Sequence, residues 1–209
     1  DSRSVFMEIS SPLEVRGFES HPLHLFFHKQ IFLLDRYYID IMIESFNGTN
    51  PVIHSRAFIA INASIIGNVV IENDVSVWYN SVIRGDFNAI NIEAGTNIQD
   101  NSVLHVDVDE PLMIGQNTTI GHNCIIHGCT IDNSCLIGMG SLIMNRVQIG
   151  SGCIIGAGTL ITQDTIIPDN SVVVGRPGKI IRQTNKSDLD YIHANAQEYI
   201  NLKNKYLNH

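Results

Sequence analysis

The chain has 209 residues, enough for one sizeable domain with an appendage, and carries a formal charge of -8 with a pI near 5.5. That acidity argues against a nucleic-acid binder, which needs a basic stripe to neutralise phosphates. No membrane partner is expected either, because the most apolar stretch, residues 23–43, is interrupted by Lys29, Asp35, Arg36 and Asp40.

Residues 1–50 show no repeat and only broken periodicity. The run at 31–43, IFLLDRYYIDIMI, reads equally as a short helix or strand packed on the main body, or as a non-native extension with Met42 as the start. This segment is taken as an N-terminal extension. The acidic residues Glu8, Glu14 and Glu19 count against an organelle presequence, which is usually acid-poor, so a cytoplasmic location is expected and an organelle is left open. The cysteines Cys124, Cys129, Cys135 and Cys153 have no CxxC spacing and read as buried small hydrophobes in a reducing compartment.

From Ile53 the aliphatic residues recur six apart: Ile53, Ile59, Ile65, Ile71, Val77 and Ile83. After a slip of three come Ile92, Ile98 and Leu104, and after a slip of four Ile114, Ile120 and Ile126. One residue is then dropped, and the ladder continues from Ile131 through Ile137, Ile143, Ile149, Ile155, Ile161 and Ile167 to Val173. Four places after most of these sits a small or β-branched residue, among them Ala63, Ser81, Thr96, Cys124, Thr130 and Cys135. A helix would space its apolar residues near 3.6 and a half-buried strand by two. Period six instead describes a short strand plus a turn, and three such units close a triangular coil. Stacked coils bury a column of aliphatics on each face while parallel ladders satisfy the amides. Gly115, Gly121, Gly138, Gly150 and Gly156, each one place after an inward aliphatic, are expected to permit tight turns. The β-helix domain is placed at 51–182.

After the last coil, Gly175, Pro177 and Gly178 turn the chain away. Residues 183–209 are expected to form a helix lying on the prism. Ser187 marks its start with Asp190 at the capping-box position, and Leu189, Ile192, Ala196, Tyr199, Leu202 and Tyr206 make its apolar stripe.

The register stacks side chains without coordinates. Arg84, His105 and His127 each follow an inward aliphatic by one place, so they point outward on successive rungs of one edge, about 4.8 Å apart. Two imidazoles so placed can both reach one metal ion at about 2.0–2.1 Å. His122 lies on another column, with Asp100 one coil earlier and Gln99 beside it. Five extended residues span about 16 Å, so His122 of the same chain cannot share that ion. A shared site therefore requires a neighbouring chain, and a triangular prism suggests three-fold symmetry.

The segments SVIRGD (81–86), TNIQD (96–100), LH (104–105), IGHNCIIHGC (120–129) and LIGMGS (136–141) resemble the γ-class carbonic anhydrase family. The likeness runs through residues 53–182 and implies a left-handed parallel β-helix. It implies metal ligands His105 and His127 from one subunit and His122 from the next, in a homotrimer. Arg84 and Asp86 match an intersubunit ion pair, Gln99 a side chain that orients metal-bound water, and Asp100 its interface neighbour. Tyr199 matches a tyrosine reaching the site, with Asn201 as a further candidate. The implied activity is reversible hydration of carbon dioxide to bicarbonate by a metal-bound hydroxide, with Zn2+, Fe2+ or Co2+ suiting imidazole ligands.

Two departures bear on turnover. The most active members carry a glutamate where this chain has Phe87, and a long acidic loop where residues 106–113 are short, with Asp107, Asp109 and Glu110 the only acids. The competing readings are a hexapeptide-repeat acyltransferase, which uses a histidine base without metal, and a metal-binding, non-catalytic assembly subunit.

Overall fold

The structure, a computed structural model, describes residues 42–208. The expectations for residues 1–41 lie outside the described residues. The described residues form a left-handed parallel β-helix of about seven turns with one helix at the C-terminal end. Among the described residues no helix is long and apolar enough to cross a membrane.

The ladder read from the sequence is the inward-facing core. One face stacks Ile65, Ile83, Leu104, Ile126, Ile143 and Ile161 in direct register. A second stacks Ile59, Val77, Ile98, Ile120, Ile137, Ile155 and Val173. The third stacks Ile53, Ile71, Ile92, Ile114, Ile131, Ile149 and Ile167. These are called here the first, second and third faces. Nearly all of these side chains are fully buried. Met42–Glu44 already pairs in parallel with Ser64–Ile66, ahead of the boundary expected at 51.

The small residue of each unit points inward two places before the aliphatic: Ala63, Ser81, Ser102, Thr118, Cys124 and Ser141 are all buried. Thr130 departs from the expectation and is exposed, and Cys129 takes its place inside. The dropped residue moves the inward register one place earlier. All four cysteines are buried and unpaired. Burial pushes the Cys124 thiol up to about 11 and raises Cys129 further, which makes them packing groups rather than nucleophiles.

The expectation for the glycines is corrected. Gly121 and Gly138 have ordinary backbone dihedrals, and the left-handed turn conformation falls two places later, at Asn117, Asn123, Ser134, Gly140, Arg146 and Asp164. Asn and Asp tolerate it because their short side chains bond locally. Gly121 and Gly138 are required instead by close stacking: a Cβ on Gly138 would lie 2.5 Å from the Ala157 amide nitrogen and 2.8 Å from the Ile155 carbonyl oxygen. Gly138→Ala is expected to force adjacent coils apart and cost about 1–3 kcal/mol, read as a lower urea midpoint with unchanged slope.

Past the last coil, Ser171–Gly175 folds back on Gly178–Gln183 as an antiparallel pair. The helix, Lys186–Leu207, starts earlier than expected. Asn185 is its N-cap and Asp188 completes the capping box, so neither Ser187 nor Asp190 takes those parts. Asn185 takes the cap because its side-chain Oδ1 accepts from the Asp188 backbone amide at 3.0 Å while the Asp188 carboxylate accepts from the Asn185 backbone amide at 2.8 Å. The helix covers the second face. Ile192 and Ala196 are buried against it. Tyr199 and Tyr206 stack on Trp78 at 5.6 and 5.2 Å, and Tyr206 also packs on Phe58 at 5.4 Å.

Candidate metal edge and its second half

Every break in the six-residue period falls at one corner, where the first face passes into the third. The slip of three lies between Ile83 and Ile92, the slip of four between Leu104 and Ile114, and the dropped residue between Ile126 and Ile131. Arg84, His105 and His127 occupy this corner on consecutive rungs, in direct register. The extra residues become its rim, with Phe87 and Val108 both exposed.

The geometry at the corner is a chain of contacts. His105 Nδ1 lies 2.9 Å from His127 Nε2, and His105 Nε2 lies 2.9 Å from Asp86 Oδ1. The other Asp86 oxygen takes a bond from Arg84 of the same chain. Burial works to raise the Asp86 carboxyl, but the bonds from His105 and Arg84 outweigh it and hold the group below its ordinary value. His127 Nδ1 lies 2.5 Å from Asn145 Oδ1, and Asn145 Nδ2 donates to Asp107 at 3.1 Å. The Phe87 ring stands 5.9 Å from the His105 ring.

The second group forms at the corner between the second and first faces. His122 Nδ1 lies 3.0 Å from Asp100 Oδ2, the two side chains being 45% and 33% exposed. Gln99, beside Asp100, is buried, and its Nε2 donates to Asn97 Oδ1 at 3.1 Å. Asn97 Nδ2 donates to Thr119 Oγ1 at 2.8 Å, and the Thr119 hydroxyl donates to Asn195 of the helix at 2.9 Å. Tyr199 comes close enough to this group for Asp100 to act on it: burial first, then the Asp100 charge, raises its phenol. Asn201 is on the exposed side of the helix, accepting from Gln197 at 3.1 Å.

The structure thus gathers Arg84, Asp86, His105 and His127 at one corner, and Gln99, Asp100, His122 and Tyr199 at another. Among the described residues, no three His, Cys, Asp or Glu side chains group so as to hold an ion. Between the corners runs the outer surface of the first face, where Val103 is 39% and Ile125 46% exposed and Val82, Leu142 and Leu160 are partly so.

Sequence reasoning did not single out Asn97, Thr119, Asn145 or Asn195. Ile126 pairs with Ile143, so Asn145 lies one place beyond the position level with His127, and spacing alone does not mark it. For Asn97 and Thr119 the outward column on the second face is polar yet buried, which only the docked helix explains.

The bacterial transferase hexapeptide family, described by six repeats, matches residues 50–85 and 128–163. A carbonic anhydrase of Geobacillus kaustophilus is 42% identical over 76% of this chain and 87% of its own length. Gamma carbonic anhydrase 2, mitochondrial, of Arabidopsis thaliana is 39% identical over 73% of this chain, which spans only 57% of that relative's length. Among solved structures, a hexapeptide transferase family protein from Anaplasma phagocytophilum is 40% identical and aligns with a TM-score of 0.76 over 79% of this chain and 98% of its own. Repeat, register and relatives agree, and the chain belongs to the γ-class carbonic anhydrase-like family of hexapeptide-repeat proteins.

Proposed function

We propose that the chain is the subunit of a homotrimeric, metal-dependent carbonic anhydrase-like lyase that interconverts carbon dioxide and bicarbonate. The observation that carries the reading is the His105–His127 pair on adjacent rungs, each ring held through a nitrogen by an oxygen from Asp86 or Asn145. Oxygen partners on the second ring nitrogen orient imidazole ligands and fix their tautomers. The donor set fits a divalent ion: two neutral-capable imidazoles side by side, with His122 of a neighbouring chain as the third ligand. Zn2+, Fe2+ and Co2+ all suit it. When bound, the metal supplies Lewis-acid activation of water near neutral pH.

The remaining work falls to the chain. Gln99 has its amide nitrogen committed to Asn97, so its Oε1 remains to accept a hydrogen bond and orient the attacking oxygen. Asp86 holds His105, and Arg84 braces Asp86. Asp100 holds His122, and its charge acts on the Tyr199 phenol. The apolar strip of Val103 and Ile125, facing water in a lone chain and lying between the two half-sites, supports trimer assembly as the step that completes each site.

Phe87 stands where a proton-accepting carboxylate serves faster relatives, and Asp107 and Glu110 are engaged with Asn145 and Arg146. Turnover is therefore expected to be slow and to rise with buffer concentration. Stopped-flow hydration of carbon dioxide by zinc- and iron-loaded protein, at two buffer concentrations, tests this. No rate above background with either metal would overturn the activity and favour an assembly subunit. Acetyl transfer from a thioester by metal-free protein would favour the acyltransferase reading. The Arabidopsis relative is named mitochondrial, so fractionation of cells has two compartments to separate, an organelle and the expected cytoplasm.

A further inference from the structure

We propose that Asn145 and Asp107 are positioning residues that decide which nitrogen of His127 is presented at the metal edge, an inference that rests on the metal reading above. A histidine ring offers one nitrogen to an ion only if the other carries the hydrogen. His127 Nδ1 meets Asn145 at 2.5 Å, and an amide has one end that accepts and one that donates. Asp107 removes the ambiguity. An ionised carboxylate only accepts, so the end of Asn145 facing Asp107, at 3.1 Å, must be its NH2 group. Oδ1 then faces His127, Nδ1 must be the N–H, and Nε2 is left with its lone pair toward His105.

Asp107 is itself held. Its backbone amide bonds the Glu110 carbonyl at 3.4 Å and the Glu110 amide returns to the Asp107 carbonyl at 3.2 Å. Arg146, next to Asn145 in sequence, donates to Glu110 at 2.9 Å and to Asp164 at 2.6 Å. The short loop is thus pinned to residues 145 and 146 at two points, Asp107 to Asn145 and Glu110 to Arg146. Its acids serve to orient a ligand, in a place where a longer loop would hold them free. Ile126 pairs with Ile143 on the next coil, and Asn145, two places after Ile143, reaches back to His127 from there.

The experiment compares full-length Asn145→Leu with the exchange Asp107→Asn/Asn145→Asp. The exchange keeps an acceptor at 145 facing His127 Nδ1 and reverses the bond between 145 and 107, the amide at 107 now donating to the carboxylate at 145. Two readouts are taken: the zinc dissociation constant by chelator competition, and the visible absorption bands of the cobalt-loaded protein, which report ligand geometry. Asn145→Leu is expected to weaken zinc binding by about 10- to 100-fold and shift the cobalt bands. The exchange is expected to return zinc binding to within about threefold of the parent protein, with its cobalt spectrum. Parent-like zinc binding in Asn145→Leu, or an exchange as weak as Asn145→Leu, would overturn the inference. A parent protein that takes up neither metal would overturn the metal reading itself, and this inference with it.

Discussion

Co-expressing His122→Ala with His127→Ala is expected to restore about a quarter of the full metal content, although each variant alone binds almost none. In the proposed trimer, each ion takes His105 and His127 from one subunit and His122 from the next. A His122→Ala chain keeps the first half-site and a His127→Ala chain keeps the second. Under random assortment one interface in about four joins two intact halves. Each single variant removes a ligand itself, so its loss should exceed the about 10- to 100-fold that outer-shell changes cost. Both should keep the coil, because the two imidazoles are outward while Ile120 and Ile126 beneath them are fully buried. Metal analysis of the whole co-expressed trimer population, purified without sorting, against each homotrimer checks this. Full occupancy in His122→Ala would remove His122 from the ligand set, and no recovery in the mixture would place all ligands in one chain.

Asp74→Asn is expected to lower stability by about 3–5 kcal/mol at neutral pH, whereas Lys203→Met should cost under about 1.5 kcal/mol. Lys203, on the helix, is 1% exposed and meets Asp74 at 3.1 Å, with Asn204 Oδ1 at 2.8 Å. Asp74 also binds Arg56. Removing the carboxylate leaves a buried ammonium without its counter-charge, and that desolvation is the large term. Asparagine keeps the left-handed backbone at position 74, φ 59°, so the effect is not one of strain. Methionine at 203 keeps the packing of the lysine stem while removing the charge that needed a partner.

The same pair sets an acid response. Burial works to raise the Asp74 carboxyl, but hydrogen bonds from Arg56, Lys203 and Asn73 prevail and bring it to about 2 from 3.8. A carboxyl depressed in the folded state adds stability above its unfolded value, and the contribution is lost as pH falls through the folded one. The window therefore runs from about pH 4 down to about pH 2. Trp78, the one tryptophan, packs on Tyr199 and Tyr206, so its fluorescence reports helix docking. Asp74→Asn should flatten the acid transition seen by that signal. An unchanged transition and an unchanged urea midpoint would show that the pair stabilises nothing.

Much of this architecture was legible in the chain. Ile65, Ile83, Leu104 and Ile126 stack as the period placed them, and His105 pairs with His127 because strand register carries outward residues as faithfully as inward ones. The misreadings have local causes. Gly138 reads as a turn residue in the sequence because glycine signals both freedom and lack of bulk, and only the Ala157 backbone at 2.5 Å separates the two. Thr130 reads as inward because spacing alone does not assign a dropped residue to one side of an aliphatic. The helix cap lies two residues ahead of the expected Ser187, since Asn185, Ser187 and Asp188 are all competent caps and the choice depends on backbone angles. The breaks in period at 83–92, 104–114 and 126–131 were visible as slips. That all three fall on one corner, the histidine corner, followed only once the faces were assembled.

The sequence by itself determined the fold, the three inward columns and the edge shared by His105 and His127, because a repeat of six leaves each residue one direction to face. The tertiary structure alone decided what supports those residues. Asn145 reaches His127 from eighteen residues away, Asn195 reaches Thr119 across seventy-six, and Lys203 finds Asp74 under the docked helix. Hydrogen bonds and buried charges depend on side-chain approach to within about 3 Å, and that proximity is a property of packing that periodicity does not carry.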